Sequence, residues 1–262
     1  TIIKNEKAII EEFGTDIDAS FHPKIRNAES CLKSSQLAYD LATKHGSNLH
    51  ILHLTTADEM KLLTEGDITG KKITGEVCVH HLYFSEADYA SLGNQIKCNP
   101  SVKTEQDRLA LIDAVQRNKI DIIATDHAPH TWEEKQEPYL KAPSGLPLNQ
   151  HSLLVLLDFY AKGIFSLEQI VQKTSHNIAE RFQIKDRGYL REGSFADLAV
   201  IDLSAKTLVT QENILYHCGW SPFLDYTFPG AVKHTIINGE VVYQDGILSE
   251  DLPIGQRIEF NR

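Results

Sequence analysis

The sequence predicts an α/β protein with parallel strands, followed by a smaller β-rich part. Amphipathic segments that begin with helix-capping residues alternate with short apolar runs over residues 1–185. Two of those runs end in His and Asp side chains. From about Asp186 the pattern changes to short β runs. We therefore expect one domain over 1–185 and a small β subdomain over 186–262.

Helices are predicted where a capping residue precedes an amphipathic segment. Gly46 is the expected C-cap of the second helix, because glycine adopts the left-handed conformation readily. Thr56 and Glu59 have the spacing of a capping box, and so do Ser166 and Gln169. The predicted helices cover residues 1–14, 29–45, 57–64, 104–117, 149–162 and 166–174.

Strands are predicted from short apolar runs bounded by polar or turn residues. The pair Asn238-Gly239 is a strong signal for a two-residue hairpin turn, since both turn positions require positive φ. The predicted strands are 48–56, 72–79, a run ending at Asp126, 195–202, 231–237 and 240–243.

Composition excludes several classes of protein. The 262 residues are 42% hydrophobic and 24% charged, which is typical of a globular chain that buries a sizeable core. A net charge of -10 without a basic stripe argues against nucleic acid as a partner. We find no signal peptide and no apolar run long enough for a membrane span. The four cysteines are widely separated, so we expect free thiols and a cytoplasmic location.

His53 and Asp126 are the first candidates for function. Strand alternation places Leu49, Ile51 and His53 on one face, with His53 nearest the C-terminal end of its strand. A single His at a strand end is more often a hydrogen-bonded structural residue. Parallel barrels, however, gather catalytic groups at the C-terminal ends of several strands. We therefore expect both side chains at the same rim, as metal ligands or proton-transfer groups.

Four ordered blocks resemble a known family. Residues 49–56, 75–82, 97–100 and 124–130 together are similar to dihydroorotases of the amidohydrolase superfamily. The stretches 188–201 and 236–242 resemble the β-subdomain of these enzymes, so the resemblance spans roughly residues 22–247. It implies an α/β fold made of the C-terminal part of a TIM-like (β/α)8 barrel, followed by a small β-sandwich subdomain.

One motif of the family is missing. The sequence contains no His-x-His-x-Arg, which in these enzymes supplies metal ligands from the first strand. We therefore expect the chain to be the C-terminal portion of a longer enzyme and to be inactive alone. A barrel without its early strands would expose strand edges, so we expect the missing N-terminal part of the barrel, or further copies of the chain in a homo-oligomer, as partners.

The resemblance implies specific roles. His53 is expected to bind metal, and Asp126 to be both a metal ligand and the general acid/base. Asn99, His130 and Gly145 are expected to bind the substrate, although Asn99 could equally be a turn residue before Pro100. The implied cofactor is Zn2+, two ions per complete site. The implied reaction is the reversible hydrolysis of (S)-dihydroorotate to N-carbamoyl-L-aspartate in pyrimidine synthesis.

Two alternatives stay open. The chain could belong to an allantoinase or hydantoinase, or to a catalytically dead homologue that serves as a scaffold. For His80, His81 and His127 we expect roles in orienting ligands or in structure. The charged segment 131–145 reads as a solvated loop, although its place after His130 also makes it a candidate wall of the site.

Overall fold

The computed structural model describes residues 1–249 and 255–261. Its contacts divide the chain into two units. The first comprises Thr1–Ser152 and Ile214–Leu224, and the second Leu153–Asn213 and Asp225–Arg262. The boundary expected near residue 186 lies inside the second unit, because the helices before it group with the strands after it.

The first unit contains a three-stranded parallel sheet. Its strands are β1 Leu49–Ile51, β2 Ile73–Cys78 and β3 Ile122–Ala124, in that order across the sheet. Both strand pairs are parallel, as the sequence predicts. All three strands therefore end at the same edge.

The helices of the first unit begin and end at residues that local rules favour. Gly46 has a φ of 63° and caps the third helix, as predicted. The Thr104 hydroxyl accepts the backbone N–H of Asp107 at the start of the sixth. The helices are α1 Ile2–Phe13, α2 His22–Ile25, α3 Ala28–His45, α4 Val79–Tyr83, α5 Tyr89–Leu92, α6 Glu105–Gln116 and α7 Trp132–Gln136.

The core of this unit lies around the central strand. Val77 and Cys78 of β2 are fully buried, as expected for parallel strands that are covered on both faces. Leu111 and Val115 of α6 are also fully buried. Gly75 packs so tightly that an added Cβ would lie 2.5 Å from Cδ1 of Leu54.

Two local predictions were wrong. The strand predicted over 48–56 is only three residues long, because His53 has a left-handed φ of 40° that an extended strand cannot contain. The helix predicted over 57–64 is a single 3-10 turn, Glu59–Leu62. The Glu59 carboxylate accepts the backbone N–H groups of Thr55 and Thr56. The capping contact is therefore present, but the segment that it opens is too short for an α-helix.

The segment after His130 is also more ordered than a solvated loop. Thr131 and Glu134 form a capping box that begins α7. Lys135 of this helix is only 1% exposed. The charged segment therefore contributes a buried residue to the first unit.

The second unit contains helices followed by an antiparallel sheet. The helices are α8 Ser152–Ala161, α9 Leu167–Val171 and α10 Asn177–Phe182, with a π-helical turn Gln172–His176 between the last two. The strands are β4 Leu198–Leu208, β5 Thr227–Ile237, β6 Glu240–Gln244 and β7 Ile247–Leu248, in that order.

The hairpin turn between β5 and β6 is confirmed. Asn238 and Gly239 have φ values of 53° and 89°. The Ser166–Gln169 capping box is likewise present at the start of α9. Within the described ranges this unit has one four-stranded sheet, and the second layer that a sandwich requires is not seen there.

None of the helices in the described part of the chain is long and apolar enough to cross a membrane.

Candidate functional site

His53 and Asp126 occupy equivalent positions in the parallel sheet. Each lies two residues beyond the end of its strand, β1 for His53 and β3 for Asp126. Each has a left-handed backbone, with φ of 40° and 47°. Since the strands are parallel, both residues emerge at the same edge, as predicted. Non-glycine residues in this conformation are uncommon and cluster at functional sites.

Both side chains have atoms that are free to bind a metal ion. His53 is half-buried and Asp126 is exposed. Among residues 1–249 and 255–261, neither side chain has a hydrogen-bond partner. An imidazole nitrogen and a carboxylate oxygen are both zinc ligands. His53 does not lie on the strand face that alternation predicted, however, because β1 ends at Ile51 and does not reach this residue.

Asn99 lies close to His53. The two residues line one cavity of about 480 Å³, together with Arg26, His50 and Glu59. The Asn99 side chain is exposed, and the Asn99–Pro100 peptide bond is cis. The structure therefore brings a predicted metal ligand and a predicted substrate ligand to the same cavity.

A buried histidine fixes the backbone at the residue that precedes Asn99. His22 places Nε2 2.8 Å from the carbonyl oxygen of Cys98 and Nδ1 2.8 Å from the Tyr139 hydroxyl. Burial lowers the pKa of His22 to about 3, so the ring is neutral. A carbonyl can only accept a hydrogen bond. We therefore assign the ring proton to Nε2, which leaves Nδ1 to accept the tyrosine proton.

Two buried lysines hold the loop that follows α7. Lys97 Nζ donates to the carbonyl of Tyr139 at 2.6 Å. Lys135 Nζ donates to the carbonyls of Pro143 at 3.0 Å and Gly145 at 2.8 Å. Burial lowers the pKa of each lysine to about 8. Within the described part of the chain neither ammonium has a carboxylate at ion-pair distance. Their positive charge therefore favours an anion nearby.

Both backbone polar groups of Gly145 form hydrogen bonds. Its N–H donates to the Lys97 carbonyl at 2.8 Å, and its carbonyl accepts from Lys135. The N–H is therefore occupied, whereas the carbonyl keeps one lone pair for a ligand. Gly145 has a φ of 140°, and a Cβ there would lie 2.4 Å from the Ala128 carbonyl oxygen. Only glycine fits this position without a shift.

His130 lies beside Gly145. A Cβ on Gly145 would come within 3.2 Å of Cδ2 of His130. The indole N–H of Trp220 donates to the His130 carbonyl at 2.8 Å, which fixes its backbone. The half-exposed ring has Nδ1 3.6 Å from the Glu134 carboxylate. The structure thus brings His130 and Gly145 together, as their shared predicted role requires.

His127 and Cys98 are two further side chains near the site. His127 Nδ1 accepts the Leu148 N–H at 2.9 Å, which is a structural contact. Cys98 is buried, and burial raises the pKa of its thiol to about 12, so it is no nucleophile.

Sequence reasoning missed the roles of Lys97, Lys135 and His22. The capping-box spacing of Thr131 and Glu134 could have indicated a helix that contains Lys135. Nothing local marks the other two, because their partners are 42 and 117 residues away along the chain.

Comparison with known proteins places this arrangement in a family. The profile of the amidohydrolase family matches residues 6–242. The chain belongs to the amidohydrolase family. Among curated relatives of this family member, a dihydroorotase of Anoxybacillus flavithermus is 36% identical over 234 residues, covering 87% of this chain and 54% of that protein. A dihydroorotase of Fusobacterium nucleatum is 34% identical over 224 residues, covering 84% and 52%.

Solved structures of a hydantoinase and a dihydropyrimidinase share the fold. An L-hydantoinase (dihydropyrimidinase) from Arthrobacter aurescens superposes with a TM-score of 0.88 at 25% identity, covering 98% of this chain and 58% of that one. A dihydropyrimidinase from Brevibacillus agri has a TM-score of 0.83 at 21% identity, covering 94% and 55%. The chain thus spans about half the length of the proteins that it matches, and it has the α/β fold of the amidohydrolase family.

Proposed function

We propose that this chain is part of a dihydroorotase, as the C-terminal part of its TIM-like barrel and the β-subdomain that follows. This choice rests on the surface formed by His130 and Gly145, which lie side by side. Lys135 donates a hydrogen bond to the Gly145 carbonyl, and no carboxylate among the described residues neutralises its ammonium. The positive charge attracts the ring carboxylate of dihydroorotate. The dihydroorotase relatives at 34–36% identity support the same choice.

His53 and Asp126 fit a zinc site. Both present unpartnered donor atoms at the edge where the parallel strands end. Zinc, when bound, supplies the Lewis acid that polarises the scissile carbonyl. A complete site has two ions, and two protein ligands are too few to hold both. We therefore propose that the 262 residues alone do not catalyse the reaction.

Asp126 moves the proton in this proposal. In the hydrolytic direction its carboxylate accepts a proton from the attacking water and delivers it to the ring nitrogen as the C–N bond breaks. Its exposure and its lack of a hydrogen-bond partner among the described residues leave both oxygens available for this task.

The substrate is held at its carboxylate. The imidazole of His130 and the side-chain amide of Asn99 donate hydrogen bonds to it, and the Gly145 carbonyl accepts from a ring N–H.

The four cysteines are free thiols, which supports a reducing, cytoplasmic setting.

Turnover by the zinc-loaded complete enzyme tests the assignment. We expect hydrolysis of dihydroorotate with a kcat/KM at least tenfold above that for dihydrouracil and hydantoin, which lack the carboxylate. A preference for those neutral rings would instead support the hydantoinase alternative, which the fold likeness to the Arthrobacter aurescens enzyme favours. No turnover of any of the three would support the scaffold alternative.

A further inference from the structure

Tyr139 connects the segment that carries Asn99 with the loop that carries Gly145. It lies in that loop, between α7 and Gly145, and is only 6% exposed. Its hydroxyl lies 2.8 Å from Nδ1 of His22, and its carbonyl accepts a hydrogen bond from Nζ of Lys97 at 2.6 Å. Two residues proposed to bind the substrate are thereby linked through buried side chains.

The Tyr139 hydroxyl satisfies a buried nitrogen of His22. Because Nε2 of this ring donates to the Cys98 carbonyl at 2.8 Å, Nδ1 has only a lone pair to offer. His22 is 2% exposed, so this lone pair requires a donor from the protein. The tyrosine O–H supplies it, and the two rings also make an edge contact with centroids 5.7 Å apart. These contacts fix the direction in which the Nε2 proton points.

The backbone just before Asn99 is held at two consecutive carbonyls. The carbonyl of Lys97 accepts the N–H of Gly145 at 2.8 Å, and the carbonyl of Cys98 accepts from His22. The Cys98 carbonyl and the Asn99 nitrogen belong to one rigid peptide plane. The hydrogen bond from His22 therefore fixes where the Asn99 side chain begins.

We propose that Tyr139 is a positioning residue that holds Asn99 in place through His22. This inference rests on the proposed dihydroorotase function, in which the Asn99 amide donates to the substrate carboxylate. A hydrogen bond weakens steeply when its donor is misaligned. Without the hydroxyl, Nδ1 of His22 loses its partner, the ring is released, and Asn99 no longer meets the carboxylate in a fixed geometry.

Steady-state kinetics of the complete, zinc-loaded enzyme test this role. We expect Tyr139→Phe to raise KM for dihydroorotate by about fivefold or more, with a much smaller change in kcat. Damage to the fold alone would lower the fraction of active enzyme without changing KM. Tyr160→Phe, which removes an exposed hydroxyl in α8, is the control and should leave KM unchanged. An unchanged KM in Tyr139→Phe would overturn the proposal.

A double variant shows whether Tyr139 acts through Asn99. Asn99→Ala removes the amide, so adding Tyr139→Phe to it should raise KM no further. If the two effects multiplied instead, Tyr139 would act by another route, and this inference would fail while the proposed function stood. If Asn99→Ala alone left KM unchanged, the role of Asn99 in the proposed function would be wrong, and this inference with it.

Two substitutions of His22 separate hydrogen bonding from packing. Gln keeps an N–H donor at about the reach of Nε2, whereas Leu keeps only apolar volume. We expect KM of His22→Gln to lie closer to that of the unmodified enzyme than KM of His22→Leu does. Equal KM values for the two variants would show that the bond to the Cys98 carbonyl does not hold Asn99.

Discussion

The ammonium nitrogen of Lys135 lies 2.8 Å from the carbonyl oxygen of Gly145. This bond joins a helix to the loop beside His130, and it leaves a buried cation without a described carboxylate partner. Lys135→Met keeps the length of the side chain but removes the charge and its hydrogen bonds. Because bonds to charged groups contribute about 1.5–3 kcal/mol, we expect KM for dihydroorotate to rise by about tenfold or more, with a smaller change in kcat.

The matched control for that variant is Lys141→Met. Lys141 lies in the same segment and is exposed. Its replacement should leave KM unchanged. Equal kinetics for both variants would show that Lys135 does not position the loop.

Gly145→Ala should destabilise the fold. The added Cβ would lie 2.4 Å from the Ala128 carbonyl oxygen, a distance that the backbone must relieve by moving. We expect a loss of about 2–4 kcal/mol in the free energy of unfolding, from strain and overpacking together. Gly46→Ala is the control, since Gly46 has a positive φ but its Cβ would meet only the Lys72 side-chain end, at 3.6 Å. Urea denaturation of both variants measures the difference, and equal losses would refute the steric argument.

Asp126→Asn in the complete enzyme should separate chemistry from binding. The amide keeps the shape of the side chain but cannot accept the proton of water. We expect kcat to fall by at least ~10²-fold, with little change in the affinity for dihydroorotate. Asp58→Asn, which changes an exposed carboxylate, should leave kcat unaltered. If Asp126→Asn turned over at the normal rate, the proton would have to pass through another group.

His130→Ala should weaken substrate binding more than it slows the chemical step. Losing a donor to the substrate carboxylate removes a charge-assisted bond of about 1.5–3 kcal/mol. The dissociation constant for dihydroorotate should therefore rise by roughly 10- to 150-fold. Calorimetric titration measures this change, and His45→Ala, at an exposed histidine, serves as the control. Unchanged affinity would remove His130 from the binding site.

Stability should fall as the solution becomes acidic. Burial, and then the nearby charges of Lys97, Arg26 and Lys103, lower the pKa of His22 from 6.5 to about 3. When the pH falls below 6.5, the unfolded chain binds a proton that the folded chain does not. The free energy of unfolding therefore decreases from pH 6.5 down to about 3.

Urea unfolding at pH 7 and pH 5 tests this dependence. His22→Gln should show a smaller loss between the two pH values than the unmodified protein. The loss should not vanish, because burial also lowers the pKa of His151, to about 4. An identical loss in both proteins would show that His22 does not contribute.

The features that the sequence predicted correctly depend on neighbouring residues. The turn at Asn238 and Gly239, the C-cap at Gly46 and the start of α6 at Thr104 were all confirmed. Each is decided within a few residues, because backbone conformation and capping bonds are local. The expectation that His53 and Asp126 share a rim followed from strand order alone, since parallel strands end at one edge.

The tertiary structure decided what depends on distant partners. The length of β1 and the burial of Lys135 were not visible in the sequence. Lys135 lies in a charged segment that resembles a solvated loop, yet its ammonium is held by the carbonyls of Lys97, Pro143 and Gly145. A composition rule cannot foresee this arrangement, because the free energy of burying a charge depends on which acceptors the folded chain brings around it.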